Sequence, residues 1–238
     1  MNTKIAIFSD IHGNLQALQA ILKDIKAKQI DEVIYLGDII SIGPNPKECL
    51  DLIIKSKIMF ILGNHDLYFL NKKYFKEDID DNEKEHQKWV DSKLSAKYKT
   101  YFNSCPLQIV KLLGKTKVSF QHFLFTSNKI YPFESLNIVK NGEINSKLDG
   151  LYDITFIGHE HNTFEIKKSK KELICVGSSG CTKGDNTFYT ILNYKNNDIT
   201  IEKINLKYDR KKLENTLKNS PYPCSDFISK IFFGIQNS

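Results

Sequence analysis

The 238-residue sequence predicts an α/β fold, and three observations carry that expectation. Over residues 4–62, short apolar runs alternate with amphipathic helical segments at spacings that imply right-handed crossovers between parallel strands. From Thr116 onward strand-like runs dominate. The composition supports a sizeable core: 41% of residues are hydrophobic and 26% charged, with 12 Gly and 6 Pro. Those proportions exclude collagen-like, low-complexity and wholly disordered chains.

Lys4-Ile5-Ala6-Ile7-Phe8-Ser9-Asp10 reads as a short strand buried on both faces. Asn14 is placed to cap the helix that follows, in which Leu15, Leu18, Ile21, Leu22 and Ile25 recur at helical spacing to about Lys28. Glu32 to Gly37 forms a second strand. Asn45-Pro46-Lys47-Glu48 then offers an N-cap, a first-turn proline and a capping-box glutamate for a helix ending near Ile54. Ile58 to Leu62 is the third strand. Residues 67–105 mix lysine, acidic and aromatic side chains without alternation, which predicts two or three helices inserted over one face. Strands are expected at 117–121, 154–157, 172–176, 187–194 and 199–206, the last two forming a hairpin around Lys195-Asn196-Asn197-Asp198. Beyond Leu206 the chain reads as helical in two pieces, separated by Pro221 and Pro223.

No apolar run approaches the ~20 residues of a membrane span, and the N-terminus enters a strand without a leader pattern, so a cytoplasmic protein with no membrane contact is expected. The five cysteines are odd in number and lack C-x-x-C spacing, which predicts neither disulfides nor a thiolate zinc site. The net charge of +6 comes from dispersed lysines, with Arg210 the only arginine. Without the planar guanidinium fork, no dedicated nucleic-acid surface is predicted. The densest cluster, Lys167-Lys168-Ser169-Lys170-Lys171, lies between two strand-like runs and reads as a solvated hairpin turn.

The chemistry is written where apolar strands stop. The ends carry Asp10-Ile11-His12, Gly37-Asp38, Gly63-Asn64-His65-Asp66, His122 and Gly158-His159-Glu160-His161. Ligands bind beyond the carboxyl ends of strands in open α/β sheets, so these five ends can converge. A lone histidine after a strand is more often a hydrogen-bonded core or surface residue, but five coincidences in chain order point to a metal site. Five of the six histidines fall there; His86 alone is left over and is expected on a helix surface. Thr163 breaks the zincin pattern after His159-Glu160, and Gly177-Ser178-Ser179-Gly180 lacks P-loop spacing. Asp, His and Asn donors suit Mn²⁺, Fe²⁺ or Zn²⁺. Seven candidate ligands suggest two ions, at the spacing that activates water and clamps a phosphoryl group.

Together these five motifs resemble the calcineurin-like metallophosphoesterases over residues 4 to about 192. The Asp10-to-Asn14 start and Gly43-Pro44-Asn45-Pro46 are similar to the small prokaryotic phosphodiesterase-like branch. The resemblance implies one domain over 1–238: a four-layer αββα sandwich of two mixed β-sheets flanked by helices, with a helical insert (about 67–105) over the active-site face and a helical tail (about 207–238). It implies two divalent ions, Mn²⁺ first, with Fe, Zn, Co or Ni as alternatives. One would be held by Asp10, His12, Asp38 and His161, the other by Asp38, Asn64, His122 and His159, with Asp38 bridging and a metal-activated hydroxide attacking phosphorus. His65 matches the catalytic histidine, and Asn14 and Lys183 fall on the substrate side. Ile39-Ile40-Ser41-Ile42 replaces the further Asp and Arg of the protein-phosphatase branch, so that activity is not expected.

The resulting expectation is a dinuclear phosphoesterase acting on a small phosphodiester or nucleotide-type ester, with RNA ends and cyclic nucleotides open as substrates. A non-catalytic interaction scaffold on the same fold is the alternative, disfavoured by the retained His65. The insert is expected to act as a lid, with Lys72, Lys73 or Lys76 meeting the leaving group.

Overall fold

Ile5 and Ile7 on one side of β1 (Thr3–Phe8), and Ala6 and Phe8 on the other, are all fully buried, so this strand has both faces covered. The computed structural model describes residues 2–72, 81–124 and 150–235. After β1 come α1 (Leu15–Ala27), β2 (Glu32–Tyr35), α2 (Pro46–Lys55) and β3 (Met59–Phe60), then α3 (Asn64–Leu70), α4 (Asp81–Lys93) and α5 (Ala96–Asn103). The second half holds β4 (Gln108–Leu113), β5 (Thr116–Gln121), β6 (Ile154–Ile157), β7 (Phe164–Lys168), β8 (Lys171–Cys175), β9 (Asn186–Lys195) and β10 (Asp198–Lys207). It closes with α6 (Arg210–Asn219) and α7 (Ser225–Phe233).

The strands form two mixed five-stranded sheets flanked by helices, ordered β10-β9-β1-β2-β3 and β4-β5-β6-β8-β7. β1, β2 and β3 are parallel, with Ile7 opposite Ile34, and β5, β6 and β8 are parallel in the other sheet. The two-residue side-chain period of each strand divides the core. One set (Ile5, Ile7, Ile34, Leu36 and Ile61) meets Val118, Phe120, Phe156 and Val176 between the sheets. The other set (Ala6, Phe8, Tyr35 and Phe60) faces Leu18, Ile21 and Ile25 of α1 and Cys49, Leu50 and Ile53 of α2. α6 and α7 bury Leu213, Leu217, Ile228 and Phe233 against Ala17 and Ile42.

Asn14 caps α1 as expected, its side chain accepting from the Ala17 N–H at 3.0 Å. The cap expected of Asn45 does not form: Pro46 occupies the first turn, but the Asn45 side chain makes no cap bond. Its backbone N–H instead donates to Gly13 O at 3.1 Å, joining the start of α2 to the loop after β1. β3 is shorter than the apolar run predicts, because the Leu62 N–H turns to Pro106 O. The lysine-rich turn joins β7 to β8, with Ser169 in the left-handed region. α4 and α5 are integrated into the main core, which includes Val90, Leu94, Tyr98 and Phe102. All five cysteines are free thiols. Among the described residues no helix is long and apolar enough to cross a membrane.

Candidate metal centre

The carboxyl ends of the parallel strands of both sheets meet, and backbone hydrogen bonds fasten their loops together. Asp10 N–H donates to Gly37 O at 3.0 Å, His12 N–H to Asp38 O at 3.0 Å, and Gly158 N–H to His122 O at 3.0 Å. Asp10, His12, Asp38 and His159 all have positive φ, between 48° and 67°. A non-glycine residue held there costs on the order of 1–3 kcal/mol and persists only where its surroundings over-determine it. Four such residues in one cluster mark a site built for aim. Glycines admit the approach: a Cβ on Gly63 would fall 2.2 Å from Asp38 Oδ1, and one on Gly158 would fall 2.0 Å from Ser9 Oγ and 2.8 Å from Asp10 Oδ2.

Two ligand atoms each about 2.1 Å from one ion lie about 3.0–4.2 Å apart. In the first group, His12 Nε2 is 3.2 Å from His161 Nε2, 3.7 Å from Asp10 Oδ1 and 3.7 Å from Asp38 Oδ2, and His161 Nε2 is 3.8 Å from Asp10 Oδ1. In the second, His122 Nε2 is 3.2 Å from Asp38 Oδ2 and 3.1 Å from Asn64 Oδ1, and Asn64 Oδ1 is 2.9 Å from His159 Nδ1. All seven residues expected from the sequence are thus brought together. Among the described residues Asp10 Oδ1 is buried with no hydrogen-bond partner, an orphan that a cation would satisfy. Its other oxygen is held by the His159 N–H at 3.1 Å.

Outer groups fix the rings. His122 Nδ1 faces Leu36 O at 2.7 Å and His12 Nδ1 faces Ile40 O at 3.3 Å, which leaves each Nε2 for an ion. Burial pushes the carboxyls of Asp10 and Asp38 up, but surrounding histidines outweigh it, and both lie below the usual range, Asp38 well below. Burial likewise opposes the charged form of His122, yet Asp38 and Asp10 raise it to about 9. The two carboxylates therefore draw positive charge into the cluster. His159, farther from them in effect, is held down at about 4 by burial and by His122.

His65 stands beside this cluster, its backbone N–H donating to Asp38 Oδ1 at 2.9 Å. Burial, aided by the charges of His12 and His122 against that of Asp38, lowers it to about 3, so its ring is neutral at neutral pH. Its Nδ1 has no partner among the described residues, consistent with the absence of the protein-phosphatase carboxylate. Asn14 is fully buried and commits both ends of its amide, Oδ1 to Ala17 N–H and Nδ2 to Gly180 O at 2.8 Å. Lys183 is exposed and lies against Gly234 beyond α7. Lys72 pairs with Asp91 at 2.5 Å; Lys73 and Lys76 lie outside the described residues.

His86 corrects the surface expectation: only 5% exposed, its Nε2 accepts the Ile42 N–H at 2.8 Å. The neighbouring Gln87 accepts from Ser41 Oγ at 3.0 Å. Ser41 and Ile42 both have positive φ, a costly state for a β-branched residue, and α4 pins them there. Gly43 then lies against the metal loop, its N–H donating to His12 O at 2.8 Å. Asp66, quoted in a motif but given no role, accepts from Asp38 N–H at 2.8 Å, Gly63 N–H at 2.9 Å and Ile39 N–H at 3.3 Å. Burial and the charge of Asp38 push it up to about 7, against those three donors. No local signal marks His86, whereas Asp66 was legible as the fourth residue of its motif. A cavity of about 300 Å³ opens beside the cluster, lined by His65 and His161, by Asn82, Glu83, His86 and Gln87 of α4, and by Phe227 and Phe232 of α7.

Comparison with known proteins agrees with this geometry. The chain is 30% identical over 240 residues to an uncharacterised protein of Methanocaldococcus jannaschii, covering 92% of this chain and 94% of that one. A hypothetical protein from Pyrococcus horikoshii superposes with a TM-score of 0.77 at 20% identity, covering 99% of this chain and 100% of that chain. A metallophosphoesterase from Sphaerobacter thermophilus superposes at 0.71 with 21% identity, covering 98% and 99%. Residues 3–201 match the calcineurin-like phosphoesterase family. Five strand ends thus converge on one buried cluster of Asp, His and Asn donors that could hold metal, and the chain belongs to the calcineurin-like phosphoesterases, metal-dependent hydrolases of phosphoric esters.

Proposed function

We propose that the chain is a dinuclear phosphoesterase that cleaves a small phosphodiester or nucleotide-type ester, with Mn²⁺ as the first choice of ion. One observation carries the reading: Asp38 Oδ2 lies 3.7 Å from His12 Nε2 on one side and 3.2 Å from His122 Nε2 on the other, so one carboxylate oxygen serves both groups. Asp10, His12, Asp38 and His161 would hold one ion, and Asp38, Asn64, His122 and His159 the other. Divalent ions in these positions supply Lewis-acid charge to the phosphoryl oxygens and lower the pKa of water toward neutrality.

The remaining work falls to the chain's own side chains. Neutral His65 offers one ring N–H to a phosphoryl oxygen. An anionic phosphate at contact distance favours the protonated ring, which lets His65 deliver a proton to the leaving oxygen. The cavity between α4 and α7 accepts the leaving group, its aromatic wall excluding water and its Asn82 amide offering a polar contact. The dispersed positive charge draws in anionic substrates.

The test compares Mn²⁺-dependent hydrolysis of p-nitrophenyl phosphate and bis-p-nitrophenyl phosphate by wild type, Asp38→Asn and His65→Ala. Wild type is expected to prefer the diester. Asp38→Asn should lose both activity and metal, and His65→Ala should lose about 10²–10⁴-fold in rate while keeping its metal. Wild-type protein that binds two ions yet cleaves neither ester nor any dinucleoside polyphosphate overturns the proposal.

A further inference from the structure

Among the described residues, a thiol stands at the cluster besides the seven expected ligands and His65. The Sγ of Cys181, His12 Nε2 and a ring nitrogen of His161 offer ligand atoms that all lie within 4.8 Å of one another. At the same spot Asp10 Oδ1 is buried with no hydrogen-bond partner among the described residues, 3.7 Å from His12 Nε2 and 3.8 Å from His161 Nε2. Without C-x-x-C spacing, nothing in the sequence marks Cys181 as a ligand.

The backbone fixes Cys181 to the metal loop itself. Ser178 Oγ donates to Asp10 O at 2.7 Å and accepts the Cys181 N–H at 2.9 Å, while the Gly180 N–H donates to Asp10 O at 3.1 Å. A Cβ on Gly180 would fall 1.9 Å from Ile11 O, so the glycine allows the two loops to touch. Cys181 thus keeps station with Asp10 and His12. The other thiols have different surroundings: Cys175 points to Glu160 O at 3.3 Å, Cys224 to Asn82, and Cys49 lies in the core.

We propose that Cys181 is a soft ligand to the ion held by Asp10, His12, Asp38 and His161, which makes that position selective for thiophilic divalent ions such as zinc, cobalt and cadmium. This rests on the two-ion reading. With metal–sulfur bonds of about 2.3 Å and metal–nitrogen bonds of about 2.0–2.1 Å, one ion spans S···N separations of about 3.1–4.4 Å. The three ligand atoms, all within 4.8 Å of one another, lie in or close to that range. A thiol binds metal as the thiolate, so its proton passes to solvent as the sulfur–metal bond forms. Thiolate donors favour zinc-like ions over manganese, so the position discriminates by softness where its N and O donors alone would not.

The full chain, stripped and reloaded with Co²⁺, should show a near-ultraviolet thiolate-to-cobalt charge-transfer band. Cys181→Ser should lose the band and bind Cd²⁺ about 10-fold or more weakly, with Mn²⁺ affinity changed less than about 2-fold; Cys224→Ser should keep both. In the unsubstituted chain, Zn²⁺ should protect Cys181 but not Cys224 from alkylation, read by peptide mass, which tests the proposal even if the variant misfolds. Stoichiometric cobalt without the band, or equal alkylation of Cys181 with and without Zn²⁺, overturns the thiol ligand and leaves the two-ion reading standing. Failure to take up either Co²⁺ or Mn²⁺ overturns both.

Discussion

His86 does its work through a single hydrogen bond. By accepting the Ile42 N–H it holds Ser41 and Ile42 in left-handed backbone, and that turn carries Gly43 against His12. A backbone N–H only donates, so the Nε2 that accepts it must be unprotonated and the ring is neutral. Burial, with a smaller contribution from the charge of His12, accordingly lowers the group to about 4. Its unfolded counterpart takes up a proton near 6.5. Between those values the unfolded chain binds more protons, so the contribution of His86 is complete above about pH 6.5 and is lost as pH falls toward 4, a change of up to about 3 kcal/mol. His86→Gln keeps an acceptor for Ile42 and removes the titration. The stability of wild type relative to this variant should therefore drop by up to about 3 kcal/mol between pH 7 and pH 4 in urea unfolding. Parallel pH profiles for the two proteins would contradict this account.

At the scale of elements, α4 and α7 form the two walls of the cavity beside His65 and His161. α4 is not a detachable lid, since Val90 lies in the main core and Gln87 and His86 hold the strained turn. Removing residues 70–100 would unfold this region and could not test a lid. α7 is the more separable wall: Phe227 is 51% exposed, and the ring of Phe232 lies 6.0 Å from that of His161. An aromatic contact contributes on the order of 0.5–1.5 kcal/mol beyond its burial. Phe232→Ala should raise KM for bis-p-nitrophenyl phosphate by about 2–12-fold while kcat stays within about 2-fold, because the ring touches the bound group equally in ground and transition states. Metal content measured alongside should be unchanged. A fall in kcat at constant KM would place Phe232 in the chemistry rather than in the pocket.

Across the whole molecule, what the sequence shows and what it hides divide by the distance of the partner. The seven ligands are legible because strand, turn and donor are contiguous: an apolar run followed by Asp10 or His122 needs no knowledge of the rest of the fold. The role of α4 is not legible, because the partner of His86 is 44 residues away and its helix bears no apolar stripe. β4 escapes notice for another reason. Among the described residues it is an edge strand paired only with β5, and Val110 and Leu112, 43% and 65% exposed, blur the alternation expected of a half-buried strand. Only the assembled fold shows that the first sheet delivers Asp10, His12, Asp38 and Asn64 while the second delivers His122, His159 and His161. Cations held there, as proposed, would join two sheets that otherwise share an apolar core, and would relieve the mutual repulsion of the buried Asp10 and Asp38. An ion at about 100 times its Kd adds about 2.7 kcal/mol to the folded state. For a chain of this size each kcal/mol moves Tm by about 2–4 °C, so each ion should raise Tm by about 5–11 °C. Calorimetry with Mn²⁺ against excess chelator measures this directly, and Asp38→Asn, which removes the oxygen shared by both groups, should abolish the difference. A Tm indifferent to Mn²⁺ in wild type would mean that the two sheets are not bridged by cations at all.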